Sequence, residues 1–107
     1  MKFTAFEVQA FLWHKFRTHT PDLQCRGEYT CYTDDGECCR VDLVLLRQRA
    51  VLAGIEVKAG RPRSVAGWQA LERQLIKYRR GLDAPVMQVC GMEHAYRIAS
   101  VIRDHFP

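Results

Sequence analysis

The sequence predicts an α/β domain of the α+β kind, with elements in the order α-β-β-β-α-β-α and a mixed sheet flanked by helices. Three observations predict it. Apolar residues recur at helical spacing near both ends and once in between. Three β-prone runs follow the first helical segment, broken by Asp34-Asp35-Gly36 and by Arg47-Gln48-Arg49. The run Leu43-Val44-Leu45-Leu46 is continuously apolar, as in a strand covered on both faces. A length of 107 residues, 48% of them hydrophobic, suits one domain over 1–107 whose core needs no disulfide or metal staple.

Phe3, Phe6, Ala10 and Trp13 form one apolar stripe, which predicts a helix from Thr4 to about Arg17. Thr4-x-x-Glu7 has the spacing of a capping box at its start, and Thr18 to Pro21 closes it. An Asp-Gly step at 35–36 between CRGEYTCYT and ECCRVDLVLL signals a hairpin. The run AVLAGIEVK completes an antiparallel meander. Gly60 to Arg63 reads as a loop, after which Ser64 caps a second helix that runs to about Arg80 and stops at Gly81. Trp68, Leu71, Leu75 and Tyr78 share its apolar side. Pro85 precedes a fourth strand, VMQVC, and Gly91 opens a last helix with Ala95, Ile98 and Ile102 facing inward. Trp13 and Trp68 are expected in the core, and His14, His19, His94 and His105 at surfaces or helix ends.

No apolar stretch approaches the length of a membrane span. The N-terminal segment is interrupted by Glu7, Gln9 and His14 and does not read as a signal peptide. Five cysteines without an export signal point to reduced thiols in a cytoplasmic protein. The spacing of Cys25, Cys31, Cys38 and Cys39 departs from the usual zinc pairs, which leaves a zinc module as a minor reading. Sixteen Lys and Arg against twelve Asp and Glu give a net charge of +4, which permits a polyanionic partner. Arg73, Lys77, Arg79 and Arg80 cluster on the second helix as candidates for phosphate contact.

Asp42, Glu56 and Lys58 each interrupt an otherwise apolar run. Ionised groups at central strand positions are costly unless paired or bound to metal. Glu56 and Lys58, two apart, share one face. Pairing Leu46 with Leu52 sets Asp42 directly opposite Glu56, where the two carboxylates repel unless a divalent cation lies between them. Mg²⁺, with Mn²⁺ as substitute, suits such oxygen ligands. A structural ion pair of either acid with Lys58 or Arg40 is the competing account.

Val41-Asp42-Leu43-Val44, a short hairpin and Ile55-Glu56-Val57-Lys58 together resemble the PD-(D/E)XK nucleases, and the element order matches that family's restriction-endonuclease-like core. Gln74-Leu75-Ile76-Lys77-Tyr78 looks like the Q-x-x-x-Y motif of RecB-like members; Gln69 is the alternative glutamine in a VRR-NUC-like reading. The minimal core also resembles archaeal-type Holliday junction resolvases. Val41 replaces the usual proline. The resemblance implies a Mg²⁺-dependent DNA endonuclease, acting on branched or structured DNA, with Asp42 and Glu56 as ligands. It implies that Lys58 orients the attacking water, that Glu7 is an extra ligand or only a cap, and that Gln74 and Tyr78 touch the DNA backbone or brace the catalytic strand. Paired cuts by a chain with one active site imply a homodimer. The alternative is a catalytically inactive nucleic-acid-binding or assembly module on the same fold.

Overall fold

A computed structural model describes residues 2–19 and 22–105. The element order is α1 (Ala5–His19), β1 (Gln24–Tyr32), β2 (Cys38–Arg47), β3 (Ala50–Lys58), α2 (Val65–Leu82), β4 (Val86–Cys90) and α3 (Met92–His105). This is the predicted α-β-β-β-α-β-α order. The four strands lie side by side in sequence order. β1, β2 and β3 form the antiparallel meander, and β4 joins β3 in parallel, so the sheet is mixed. A parallel neighbour needs a crossover, and α2 supplies it. Helices α1 and α3 cover one face around Val8, Leu12, Phe16, Leu43, Ile55 and Ile102. Helix α2 covers the other around Cys39, Val41, Val44, Tyr78, Leu82 and Val86. No helix among the described residues is long and apolar enough to cross a membrane.

Helix α1 begins with the expected capping box. The Glu7 N–H donates to Thr4 Oγ1 at 3.1 Å, and Glu7 Oε1 accepts from the Thr4 N–H at 3.0 Å. Its buried stripe differs from the expected one. Val8, Leu12 and Phe16 are at most 1% exposed, whereas Phe3 and Trp13 are more than a third exposed and Phe6 is 76% exposed. The aromatic stripe shares its side of the helix with Glu7, His14 and Arg17, whose polar groups need water. Trp13 packs beneath the Arg17 guanidinium, 4.6 Å from its ring centroid, instead of entering the core. Trp68 is likewise 42% exposed on α2. Thr20 and Pro21, expected to close α1, and the side chains of His19 and His105 lie outside the described residues.

The second helix does not stop at Gly81. It continues through Leu82 and ends on Asp83, which takes the left-handed conformation of a C-cap at φ 52°. Gly81 serves packing instead. A Cβ there would stand 2.5 Å from Cys39 Sγ and 3.0 Å from Cys31 Sγ. Those sulfurs face each other 3.1 Å apart across the β1–β2 ladder. Gly81→Ala is therefore expected to lower stability by about 1–2 kcal/mol, overpacking outweighing the helix propensity of alanine. Urea unfolding checks this, and adding Cys39→Ala should recover most of the loss.

The β2–β3 turn also departs from expectation. Leu46 pairs with Val51, not Leu52, and Arg47 with Ala50, leaving the two-residue loop Gln48-Arg49. Both loop residues have positive φ, 50° and 72°, the signature of a type I′ turn that matches strand twist. A bulge between Leu45 and Leu46 then shifts the register, so that Leu45 faces Ala53 and Leu43 faces Ile55. The slip at the turn is thereby cancelled before the strand reaches Asp42. Neither loop residue is a glycine, and left-handed backbone costs other residues about 1–2 kcal/mol. Arg49→Gly should raise stability by about 1 kcal/mol in urea unfolding.

Candidate active site

The site lies where β2 parts from β3. Their ladder runs as far as Leu43 and Ile55, while β3 continues beside β4 with Glu56 facing Gln88 and Lys58 facing Cys90. Around Asp42 the inside–outside alternation slips. Cys39 and Val41 pack on the α2 side, whereas Leu43 and Leu45 pack on the α1 and α3 side. The neighbouring strand slips in step, with Glu28 at φ 52° between Gly27, which faces Leu43, and Tyr29, which faces Val41. Asp42 thus sits at the slip itself. Its Oδ2 accepts the Val57 N–H at 2.7 Å, standing in for a ladder carbonyl.

That bond aims the Asp42 carboxyl at β3, where Glu56 sits. Glu56 is 4% exposed. Burial, then the charge of Asp42, pushes its carboxyl up from an ordinary 4.5 to about 7, against the opposing pull of Lys58. Lys58 Nζ lies 3.4 Å from Glu56 Oε1 and keeps its side chain 38% exposed. Glu56 Oε2 is buried and has no hydrogen-bond partner. The two acids and the amine come together, but not as the ladder partners expected, since β2–β3 pairing stops at Leu43 and Ile55 and Asp42 reaches Val57 through its carboxylate.

Gln74 and Tyr78 approach from α2. Gln74 Nε2 donates to the Tyr78 hydroxyl oxygen at 2.9 Å. Burial raises the Tyr78 pKa, and the nearby charges of Glu56 and Asp42 add to it. A cavity of about 490 Å³ opens beside Lys58, between Gly60 and Pro62 on one wall and Gly67, Leu71 and Gln74 on the other. Of the two candidate glutamines, Gln74 lines this cavity, while Gln69 is exposed and bears on neither Tyr78 nor the cavity.

Glu7 is not brought to the acids. Its carboxylate turns back to Thr4 in the capping box, and among the described residues no three His, Cys, Asp or Glu side chains gather as a metal-holding group. The carboxylate pair is thus Asp42 and Glu56 alone, and the cysteines form no zinc cluster. A residue not singled out in the sequence does reach the site. Gln9 Nε2 donates to the Asp42 carbonyl at 3.1 Å and to Glu28 Oε1 at 3.3 Å, tying α1 to the slipped segment. Its only signal in the sequence is a polar residue directly beside the buried Val8.

The basic residues of α2 are largely engaged within the protein. Lys77 Nζ pairs with Glu37 at 2.9 Å, and Arg80 Nη2 pairs with Asp34 at 2.8 Å. Arg79 Nη2 donates to the Val86 carbonyl at 3.3 Å. These contacts clamp α2 to the β1–β2 turn and to β4. Arg73 alone of the four has neither an ion pair nor a side-chain hydrogen bond among the described residues, and it is exposed.

Two carboxylates, a buried oxygen lacking a partner and an adjacent amine fit a small divalent cation better than they fit a closed ion pair, since one ammonium satisfies only one of the acidic oxygens. In comparisons with known proteins, no family model, no curated protein and no solved structure matches this chain.

Proposed function

We propose that the chain is a Mg²⁺-dependent nuclease that hydrolyses phosphodiester bonds in DNA, with branched or structured DNA as its substrate. The observation that carries this reading is Glu56 Oε2, buried without a partner beside Asp42 and an amine. Such an oxygen calls for a proton or a cation. Mg²⁺ bound by Asp42 and Glu56, or Mn²⁺ in its place, would polarise the phosphate and acidify a bound water. In the reaction a water oxygen bonds to phosphorus as the water gives up a proton to solvent, one P–O ester bond breaks, and the leaving oxygen takes a proton from solvent.

The chain's own residues do the rest. Val57 N–H and Gln9 hold Asp42 in place through its carboxylate and its carbonyl. Lys58, half in water, is free to swing from Glu56 to a non-bridging phosphate oxygen as charge builds there. Gln74 and Tyr78 brace the catalytic strand from the α2 side. One such centre per chain makes a homodimer the arrangement for paired cuts.

The Lys58–Glu56 contact favours a second reading, a binding or assembly module in which that pair is merely structural. One assay separates the two. Linear, single-stranded, flapped and four-way DNA are incubated with Mg²⁺, Mn²⁺ or EDTA, using wild type, Asp42→Ala, Glu56→Ala and Lys58→Ala. Metal-dependent cleavage lost in all three variants supports the nuclease. Cleavage that survives EDTA or Glu56→Ala rejects it, and binding without cleavage selects the module.

A further inference from the structure

The charge that the sequence concentrates between Arg61 and Arg80 divides in the fold. Apart from Arg73, the α2 half is spent on Glu37, Asp34 and a backbone carbonyl. The other half, Arg61 and Arg63, lies on the segment leaving β3, and there it meets Lys2 from the start of the chain. These three cations line one cavity of about 590 Å³, walled also by Phe3, Gly60 and Met92. Glu93 is the one acid on its lining. None of the three cations forms an ion pair among the described residues. Three cations against one acid, with no internal partner to neutralise them, leave a concave surface that attracts an anion.

Its location narrows the ligand. The cavity shares Gly60 with the cavity beside Lys58 and Gln74, so the two open on either side of one short loop. That loop is pinned, since the Gly91 N–H donates to the Lys58 carbonyl at 2.9 Å. Arg61 follows Lys58 by three residues, so its backbone lies at most about 11 Å away. At about 3.4 Å of rise per nucleotide, that spans roughly three nucleotides.

We infer that Lys2, Arg61 and Arg63 seat a phosphate of the nucleic-acid strand within about three nucleotides of the bond cleaved at Asp42, Glu56 and Lys58. The inference rests on the nuclease reading. It routes the strand over the 59–63 loop and away from the clamped basic residues of α2. The phosphate is either a strand's terminal 5′-phosphate or an internal phosphodiester. Both present the same anionic oxygens to the guanidinium forks of Arg61 and Arg63.

The test is fluorescence anisotropy with a 3′-labelled single-stranded oligonucleotide, carrying a 5′-phosphate or a 5′-hydroxyl. Ca²⁺ replaces Mg²⁺ so that the strand is held and not cut. Arg61→Ala with Arg63→Ala should weaken binding at least about 10-fold and reduce the slope of log affinity against log salt by about 0.7, the loss of one phosphate contact. Arg61→Lys with Arg63→Lys should keep the slope, and Arg79→Ala with Arg80→Ala should change affinity less than about 2-fold. A several-fold preference for the 5′-phosphate assigns the seat to a strand end, and equal binding assigns it to an internal phosphate. Wild-type affinity and slope in the Arg61/Arg63 alanine variant, with its melting temperature unchanged, overturn the proposal. Should wild type bind neither oligonucleotide nor a flapped or four-way DNA, the nuclease reading fails separately. The seat is then decided by inorganic phosphate, which must shift the Arg61 and Arg63 side-chain resonances for the site to stand and overturns it if they do not move.

Discussion

Glu56→Gln is expected to make the metal-free protein more stable at pH 8 while abolishing the cleavage proposed for it. Glu56 is 4% exposed, and its carboxyl is raised to about 7, first by burial and then by Asp42. The folded carboxyl keeps its proton to about pH 7, whereas the unfolded one loses it near 4.5. Folding therefore takes up a proton between those values. Stability declines as pH climbs through that window, and the cost is complete above pH 7. Removing the charge should gain about 2 kcal/mol at pH 8, or roughly 10 °C in melting temperature, and much less below about pH 5. Thermal unfolding in EDTA at the two pH values reads this directly. Adding Mg²⁺ should raise the melting temperature of wild type and leave the variant unmoved, because the cation neutralises the same charge. A variant that melts at or below wild type at pH 8 would remove the buried-charge argument on which the site rests.

The second large effect is on cleavage. If the chain is the proposed nuclease, Asp42→Ala and Glu56→Ala should each lower kcat/KM at least about 10³-fold, because each removes one of the only two carboxylates proposed to hold the cation. Lys58→Ala should cost about 10²–10³-fold through lost stabilisation of charge on the phosphate. The three losses should not add, since each residue acts only with the others in place. Asp42→Ala should also weaken the fold, because its Oδ2 holds the Val57 N–H at the point where the ladder opens. Asp42→Asn keeps an acceptor there, and so separates the loss of charge from the loss of that bond.

Lys77, Arg79 and Arg80 teach the opposite lesson about charge. In sequence they read as one basic run with Arg73. In space three of the four meet partners, Lys77 and Arg80 on the β1–β2 turn far back along the chain and Arg79 on the nearby β4 carbonyl of Val86. Composition counts charges, but it does not reveal which are already paired. Glu7 shows the same limit at short range, where two roles fit one residue and the capping box takes it.

The sequence by itself determined the element order, the antiparallel meander and the candidacy of Asp42, Glu56 and Lys58. Those features are local. Periodicity, turn residues and a charge out of place in an apolar strand are all visible within about ten residues. Only the tertiary structure decided which stripe of α1 is buried, since Val8-Leu12-Phe16 and the aromatic stripe both have helical spacing and the sheet accepts one of them. It also decided the register. Leu46 pairs with Val51 and not with Leu52, and the bulge between Leu45 and Leu46 restores the phase that Asp42 needs. Turn geometry and a bulge each shift pairing by one residue, and two compensating shifts leave no trace in a pattern of period two.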